Sequence, residues 1–193
     1  MIDNYEKYLT FISERLTGFF EKQNTYIKCK EGCAKCCKNA EFPYSRVEMK
    51  YLLSGFLTLD KEIQDIVEQQ LLKTAEMKKE FQGEKFLYDC PFLVNNSCSV
   101  YQYRGVVCRT FGLIENAEEG RSKAPFCAFE GLNYSQIVDV EKKILSLEKY
   151  EELGLTQEPL GFNISYSFLT HSDFERKFNF EFGEKKPLIE WFL

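Results

Sequence analysis

Eight cysteines in 193 residues, about one residue in 24, are gathered rather than scattered. Cys29, Cys33, Cys36 and Cys37 form a first group, and Cys90, Cys98, Cys108 and Cys127 a second. A chain of this length buries a sizeable core without staples, so bulk stability does not require these thiols. Their share, about 4%, is half of the roughly 8% typical of short disulfide scaffolds. No run approaches the roughly 18 consecutive apolar residues that span a bilayer. The start, Met1-Ile2-Asp3-Asn4-Tyr5-Glu6-Lys7, lacks the basic and apolar regions of a signal peptide. The expectation is a cytoplasmic chain with no membrane partner, in which closely spaced thiols read as metal ligands before they read as disulfides.

Close spacing has a physical purpose. In Cys29-x3-Cys33-x2-Cys36-Cys37 a loop can fold back so that several sulfurs converge, as zinc at about 2.3 Å per sulfur or an iron–sulfur cluster requires. Cys36 and Cys37 are awkward in one mononuclear site, because neighbouring residues diverge by about 100° if helical. The pair hints at two adjacent sites, or at one ligand plus one packing thiol. Eight thiolates match two four-sulfur sites, or one cluster and one zinc. The triplet Cys29, Cys33 and Cys36 resembles the three-cysteine loop of radical S-adenosylmethionine enzymes. The short chain and its lack of alternating strands and helices argue against that class. Buried core thiols or disulfides remain the plain alternative, since free cysteine is among the most buried residue types.

The rest of the chain reads as mainly α, a single small domain over 1–193 of about four to five helices with an irregular cysteine-rich layer. The cysteine core covers about 26–128, with helical elements at 1–25 and 129–193 packed on it. Tyr5, Tyr8, Leu9, Ile12, Leu16, Phe19 and Phe20 step by three and four, predicting an amphipathic helix over 3–22. Thr25-Tyr26-Ile27 leans toward β. Ser45 and Glu48 have capping-box spacing before a second helix ending near Gly55. Asp60 is a candidate N-cap for a third helix running to about Phe81. From Phe86 to Leu113, Pro91, the turn signal Asn95-Asn96-Ser97 and three cysteines replace helical periodicity, so short extended pieces and turns are expected around a site. Glu118 to Pro125 reads as an exposed loop. Ile137, Val140, Ile144, Leu147 and Leu153 predict a fourth helix over about Asn133 to Leu153. The end, Pro187 to Leu193, reads as an apolar turn docking on the body.

The net charge of -5 argues against sequence-independent nucleic-acid binding, which draws on clustered cations. Lys28, Lys30, Lys35 and Lys38 instead suit charge compensation around thiolates. Arg104 and Arg109 flank Cys108 and are candidates to donate hydrogen bonds to metal-bound sulfur; pairing with Glu115 or Asp89 is the plainer role. His171, the one histidine, reads as a surface or capping residue. Glu118-Glu119 and Glu151-Glu152 read as solvated charge, and Tyr101 and Phe111 as packing. The 18 Phe, 11 Tyr and one Trp suit a well-filled core, and spare aromatic surface could dock a protein partner. The common nucleotide-loop, hydrolase-elbow and His-Glu-x-x-His signatures are absent.

One further pattern ties the cysteines to their neighbours. Cys29-x3-Cys33-x2-Cys36-Cys37, then Cys90-Pro91-Phe92-Leu93, Cys98-Ser99-Val100-Tyr101, Arg104 and Cys108-Arg109-Thr110-Phe111 resembles the zinc- or iron-chelating cysteine-cluster proteins of the YkgJ family, over about residues 26 to 128. Cys127 corresponds to the family's trailing cysteine. Gly105 stands where the family usually has proline, which loosens the local turn. The resemblance implies bound metal, and a similar cluster in flagellin lysine N-methylases is associated with an iron–sulfur centre. Three readings stay open: a metal-binding protein holding a 4Fe-4S cluster or zinc, an iron–sulfur methylase-like or redox enzyme, and a structural zinc module that scaffolds a protein partner.

Overall fold

A computed structural model describes residues 2–30, 32–116 and 122–193. Residues Glu118 to Arg121 of the expected acidic loop, the Glu118-Glu119 pair included, lie outside the described residues. Helices dominate, as their patterning predicts. Helix α1, Ile2–Lys22, buries Tyr5, Tyr8, Leu9, Ile12 and Leu16 along one face. Helix α2, Arg46–Phe56, opens on the expected capping box: the Glu48 N–H donates to Ser45 Oγ at 3.5 Å, and Glu48 Oε2 accepts from the Ser45 N–H at 2.8 Å. Asp60 is the N-cap residue of α3, Lys61–Glu80, but its side chain makes no capping bond.

The segment after α3 is irregular, as expected. Strands β2, Leu93–Val94, and β3, Ser97–Cys98, form an antiparallel hairpin. Asn95 and Asn96 both have positive φ, 50° and 58°, the backbone that a two-residue turn matched to strand twist demands. Helix α4, Val106–Thr110, is a single turn and a half. Strands β4, Ile114–Asn116, β5, Ser122–Lys123, and β8, Gly161–Phe162, form a sheet in the order β5-β4-β8, so Ser122 and Lys123 of the expected loop are strand. Strand β1, Pro43–Ser45, pairs antiparallel with β9, Lys185–Pro187, with Tyr44 opposite Lys186. The C-terminal 3₁₀ turn Leu188–Phe192 then docks on α3, with Leu188 and Ile189 buried.

Two expectations are corrected. Thr25 and Tyr26 belong to a 3₁₀ turn, Asn24–Tyr26, continuing from α1: the Ile27 N–H donates to the Asn24 carbonyl at 3.2 Å, and the Tyr26 ring stacks at 5.1 Å on Tyr134. The expected helix over 133–153 is instead a 3₁₀ turn at Ser135–Ile137, a hairpin of β6, Val138–Asp139, and β7, Ile144–Leu145, and the short α5, Leu147–Glu152. Its apolar repeat is mostly surface: Val140, Ile144, Leu147 and Leu153 are exposed, and of the five positions only Ile137 is buried. Asp139 Oδ1 accepts the Lys142 N–H at 2.9 Å and Lys143 adopts φ 54°, which makes a turn where a helix would have run.

Helices α6, Tyr166–Leu169, and α7, Ser172–Phe178, have no counterpart in the sequence-based expectation. They bring Phe174, Phe178, Phe180 and Phe182 around Tyr8, so aromatic packing closes the C-terminal part onto α1. His171 occupies the N-cap of α7 and its Nδ1 accepts the Asp173 N–H at 3.3 Å, the capping role expected of it.

Candidate metal centre

All eight cysteines are free thiols. Gly32, with φ 80°, reverses the chain after Cys29, and the Cys33 N–H donates to the Lys30 carbonyl at 3.0 Å. Cys36 and Cys37 lie in the 3₁₀ turn Lys35–Cys37, where neighbouring side chains diverge by about 120°. The two cysteine groups meet through backbone. The Cys37 carbonyl accepts the Cys90 N–H at 2.8 Å, and Ala40 pairs with Tyr88 just beyond. Cys98 sits on β3, Cys108 in α4, and Cys127 in the 3₁₀ turn Phe126–Glu130, which packs on the turn carrying Cys36 and Cys37.

Electrostatic neighbourhood divides the thiols. Burial pushes Cys29 up, partly offset by a hydrogen bond from Asn133, and Cys33 and Cys36 raise it further. Burial takes Cys127 to about 11, with Cys29, Cys36 and Cys33 adding to the rise. On the other side, burial pushes Cys90 well up, with Cys108, Cys98 and Cys36 as further contributors. Cys108 reaches about 12, again chiefly by burial, with added effects of Cys98 and Cys36. Cys98 rises through burial too, with Cys36 adding to it. Cys36 itself is driven up first by its contact with the Cys37 sulfur, then by burial. An outer set of Cys29, Cys33 and Cys127 and an inner set of Cys90, Cys98 and Cys108 thus flank Cys36, which feels both. Among the described residues, no three Cys, His, Asp or Glu side chains already stand close enough together to hold a metal ion. In the metal-free chain Cys29, Cys36, Cys90, Cys98, Cys108 and Cys127 are each pushed toward the protonated form.

The lysines among the first cysteines act as tethers. Lys35 Nζ pairs with Glu130 at 3.1 Å and Lys28 Nζ donates to Ser135 Oγ at 2.9 Å, both toward the Cys127 side. Lys38 Nζ reaches Asn96 Oδ1, at the tip of the Cys98 hairpin, at 3.0 Å. The two arginines differ. Arg104 lies 3.7 Å over the Tyr101 ring, its buried Nε has no hydrogen-bond partner among the described residues, and its charge offsets part of the rise at Cys36, Cys98 and Cys108. Arg109 instead spends its guanidinium on the carbonyls of Gln102 at 2.8 Å and Arg104 at 3.2 Å, and on Ser13 Oγ of α1 at 3.3 Å. Asp89 accepts the Asn39 N–H at 2.9 Å.

Three residues around the thiols are not among those the sequence assigns to the site. Tyr44 Oη lies 3.5 Å from Cys108 Sγ and accepts the Gly105 N–H at 3.0 Å. That bond gives a reason for glycine at 105, because a proline there has no N–H to offer. Glu48, known to the sequence only as a cap, is fully buried, and besides Ser45 it binds the Val106 N–H at 2.9 Å and the Tyr166 hydroxyl at 2.6 Å. Burial pushes its carboxyl up while these bonds hold it down. Asn133, also fully buried, touches Cys29 Sγ through Nδ2 at 3.2 Å. A cap motif could flag Glu48, but a lone Asn between Leu132 and Tyr134 has no periodic or motif signature.

Residues 28–128, more than half of the chain, match a family model described as "Putative zinc- or iron-chelating domain" (CxxCxxCC). The chain belongs to this family. It is a metal-binding protein, and its metal is zinc or iron. No curated protein and no solved structure matches the chain. The donor chemistry fits: eight free thiols are soft ligands suited to zinc or iron–sulfur centres. Among the described residues, no helix is long and apolar enough to cross a membrane.

Proposed function

We propose that this is a cytoplasmic protein whose eight cysteines hold metal as two four-thiolate centres, each an iron–sulfur cluster or zinc. The outer centre takes Cys29, Cys33 and Cys127, and the inner centre Cys90, Cys98 and Cys108. Cys36 and Cys37 supply one thiolate to each. The observation that carries this reading is the division of the thiols about Cys36, with Cys36 and Cys37 adjacent in one 3₁₀ turn.

Bound zinc supplies folding free energy, and a bound cluster supplies one-electron capacity. The chain's own residues release protons from thiols that burial keeps protonated, and draw the sulfurs inward from their metal-free separation. Arg104, beside Cys36, Cys98 and Cys108, offsets the negative charge of the inner centre, and Arg109 holds the Arg104 backbone in place. Eight thiols, none of them in a disulfide, suit a reducing compartment. We read the centres as closed, and two clefts among the described residues, about 520 Å³ beside β9 and about 370 Å³ beside α1, have no cysteine in their linings.

The test is anaerobic purification with metal and acid-labile sulfide analysis and an absorption spectrum. Iron with matching sulfide and a brown colour identifies clusters, and two zinc per chain in a colourless protein identifies zinc. A fully folded protein that takes up neither metal overturns the reading.

A further inference from the structure

Asn133 lies beyond the residues that match the family model, yet it reaches the first cysteine of the set. Its side chain is wholly buried and joins three stretches of chain. Oδ1 accepts the Lys28 N–H at 2.7 Å, while Nδ2 donates to the Gly112 carbonyl at 2.9 Å and to Cys29 Sγ at 3.2 Å. The orientation of the amide is fixed by its partners. A backbone N–H can only donate and a carbonyl can only accept, so exchanging Oδ1 and Nδ2 would break both backbone bonds. The amide atom nearer the sulfur is therefore an N–H donor, while Oδ1, at 3.5 Å, accepts from the protonated thiol. Gly112 leaves room for it: its backbone has φ 99°, and a Cβ there would stand 2.6 Å from Nδ2 and 3.4 Å from Cys29 Sγ.

We infer that Asn133 is a positioning residue of the outer centre, a preset N–H donor that fixes where the Cys29 sulfur stands to receive metal. An amide held by two backbone bonds needs no reordering to make that contact, and N–H bonds to a thiolate sulfur are stronger than those to a thiol. Donors of this kind orient metal-binding groups and raise metal retention. The inference rests on Cys29 being a ligand. It adds that the stretch after residue 128 completes the centre, so the residues matched by the family model are insufficient for full retention.

The test uses the full chain with Asn133→Asp, which keeps the shape and the acceptor for Lys28 but replaces the donor facing Cys29 and the Gly112 carbonyl by a carboxylate oxygen. Urea unfolding of the metal-free variant measures what the lost Gly112 bond costs the fold. A purely structural role quickens zinc release from both centres alike, so release at the unaltered rate, or equally quickened at both, overturns the inference. In zinc-loaded protein, release to a chelator is expected to quicken about tenfold or more at the outer centre only. If the variant does not fold, the unaltered chain still decides. The Asn133 side-chain amide protons must exchange slowly with solvent and shift when zinc is added, and fast exchange or an unmoved resonance overturns the inference. Should the protein take up no metal, the two-centre reading fails, while the exchange of the Asn133 amide protons still judges its buried hydrogen bonds.

Discussion

The outer and inner thiols sit in the same layer but are held by different physics. Cys90, Cys98 and Cys108 pack against the largest core cluster, among Phe42, Tyr44, Leu52, Phe92 and Val100. Cys29 is exposed, and its stretch is held by polar tethers: the Asn133 amide, the Lys35–Glu130 pair and the Lys28–Ser135 bond. Apolar burial is non-directional and tolerates small shifts, whereas a tether fails when one atom changes. The inner set should therefore track the stability of the whole domain, and the outer set should respond to single polar substitutions that leave the fold intact.

The largest effect that would break this contrast is at Glu48. Glu48→Ala strips the acceptor from the Ser45 and Val106 N–H groups and from the Tyr166 hydroxyl, all around a buried site. At about 1–3 kcal/mol for each donor left buried without a partner, urea unfolding should show a loss of at least about 3 kcal/mol. Cys108 should become reactive to alkylation well before Cys29 changes. Equal gains at both thiols would mean that the two sets are not separately supported.

Acid gives the next effect. Metal uptake must displace protons from thiols that burial pushes up, so retention against a chelator should fall steadily as pH is lowered from 8 to about 5. The metal-free fold has the opposite dependence. Cys108 moves from an ordinary 9.0 to about 12 on folding, so its contribution to stability is complete below the unfolded value. It is lost as pH rises through the folded value. Chemical denaturation of metal-free protein should thus show stability declining between about pH 9 and pH 12. A flat profile there would remove the burial argument for the inner thiols.

Tyr44→Phe should cost about 1–2 kcal/mol, since the buried Gly105 N–H loses its acceptor. It should quicken metal release from the inner centre, as Asn133→Asp does from the outer, and the two variants together separate the centres by chelator kinetics. Lys35→Ala gives the smallest change, under about 1 kcal/mol in thermal unfolding, because its pair with Glu130 is largely exposed.

Much of the local structure is legible in the residues. The capping box at Ser45 and Glu48 and the His171 cap each place a particular side chain against its own near backbone, and the Asn95-Asn96 turn uses residues that tolerate positive φ, all of which the sequence spells out directly. Periodicity finds α1 and α3 because their apolar stripes are buried. The same rule misleads over 133–153, where most of the stripe is exposed and a turn at Asp139 interrupts it. Helices α6 and α7 escape notice because they are short and their aromatics pack on α1, far away in sequence.

The sequence by itself determined the chemistry: eight thiols, their order, and cations among them, enough to specify a family that binds zinc or iron. Only the tertiary structure decided the arrangement. It placed Cys36 between two sets of thiols, brought Arg104 to them while committing Arg109 to backbone carbonyls, and set Asn133 against Cys29 across 104 residues. Such contacts arise when loops close over long separations, and their direction follows from turns and buried bonds rather than from any repeat in the chain. Spacing can say that sulfurs are able to meet, but the packing around them sets which ones face each other and what donates to them.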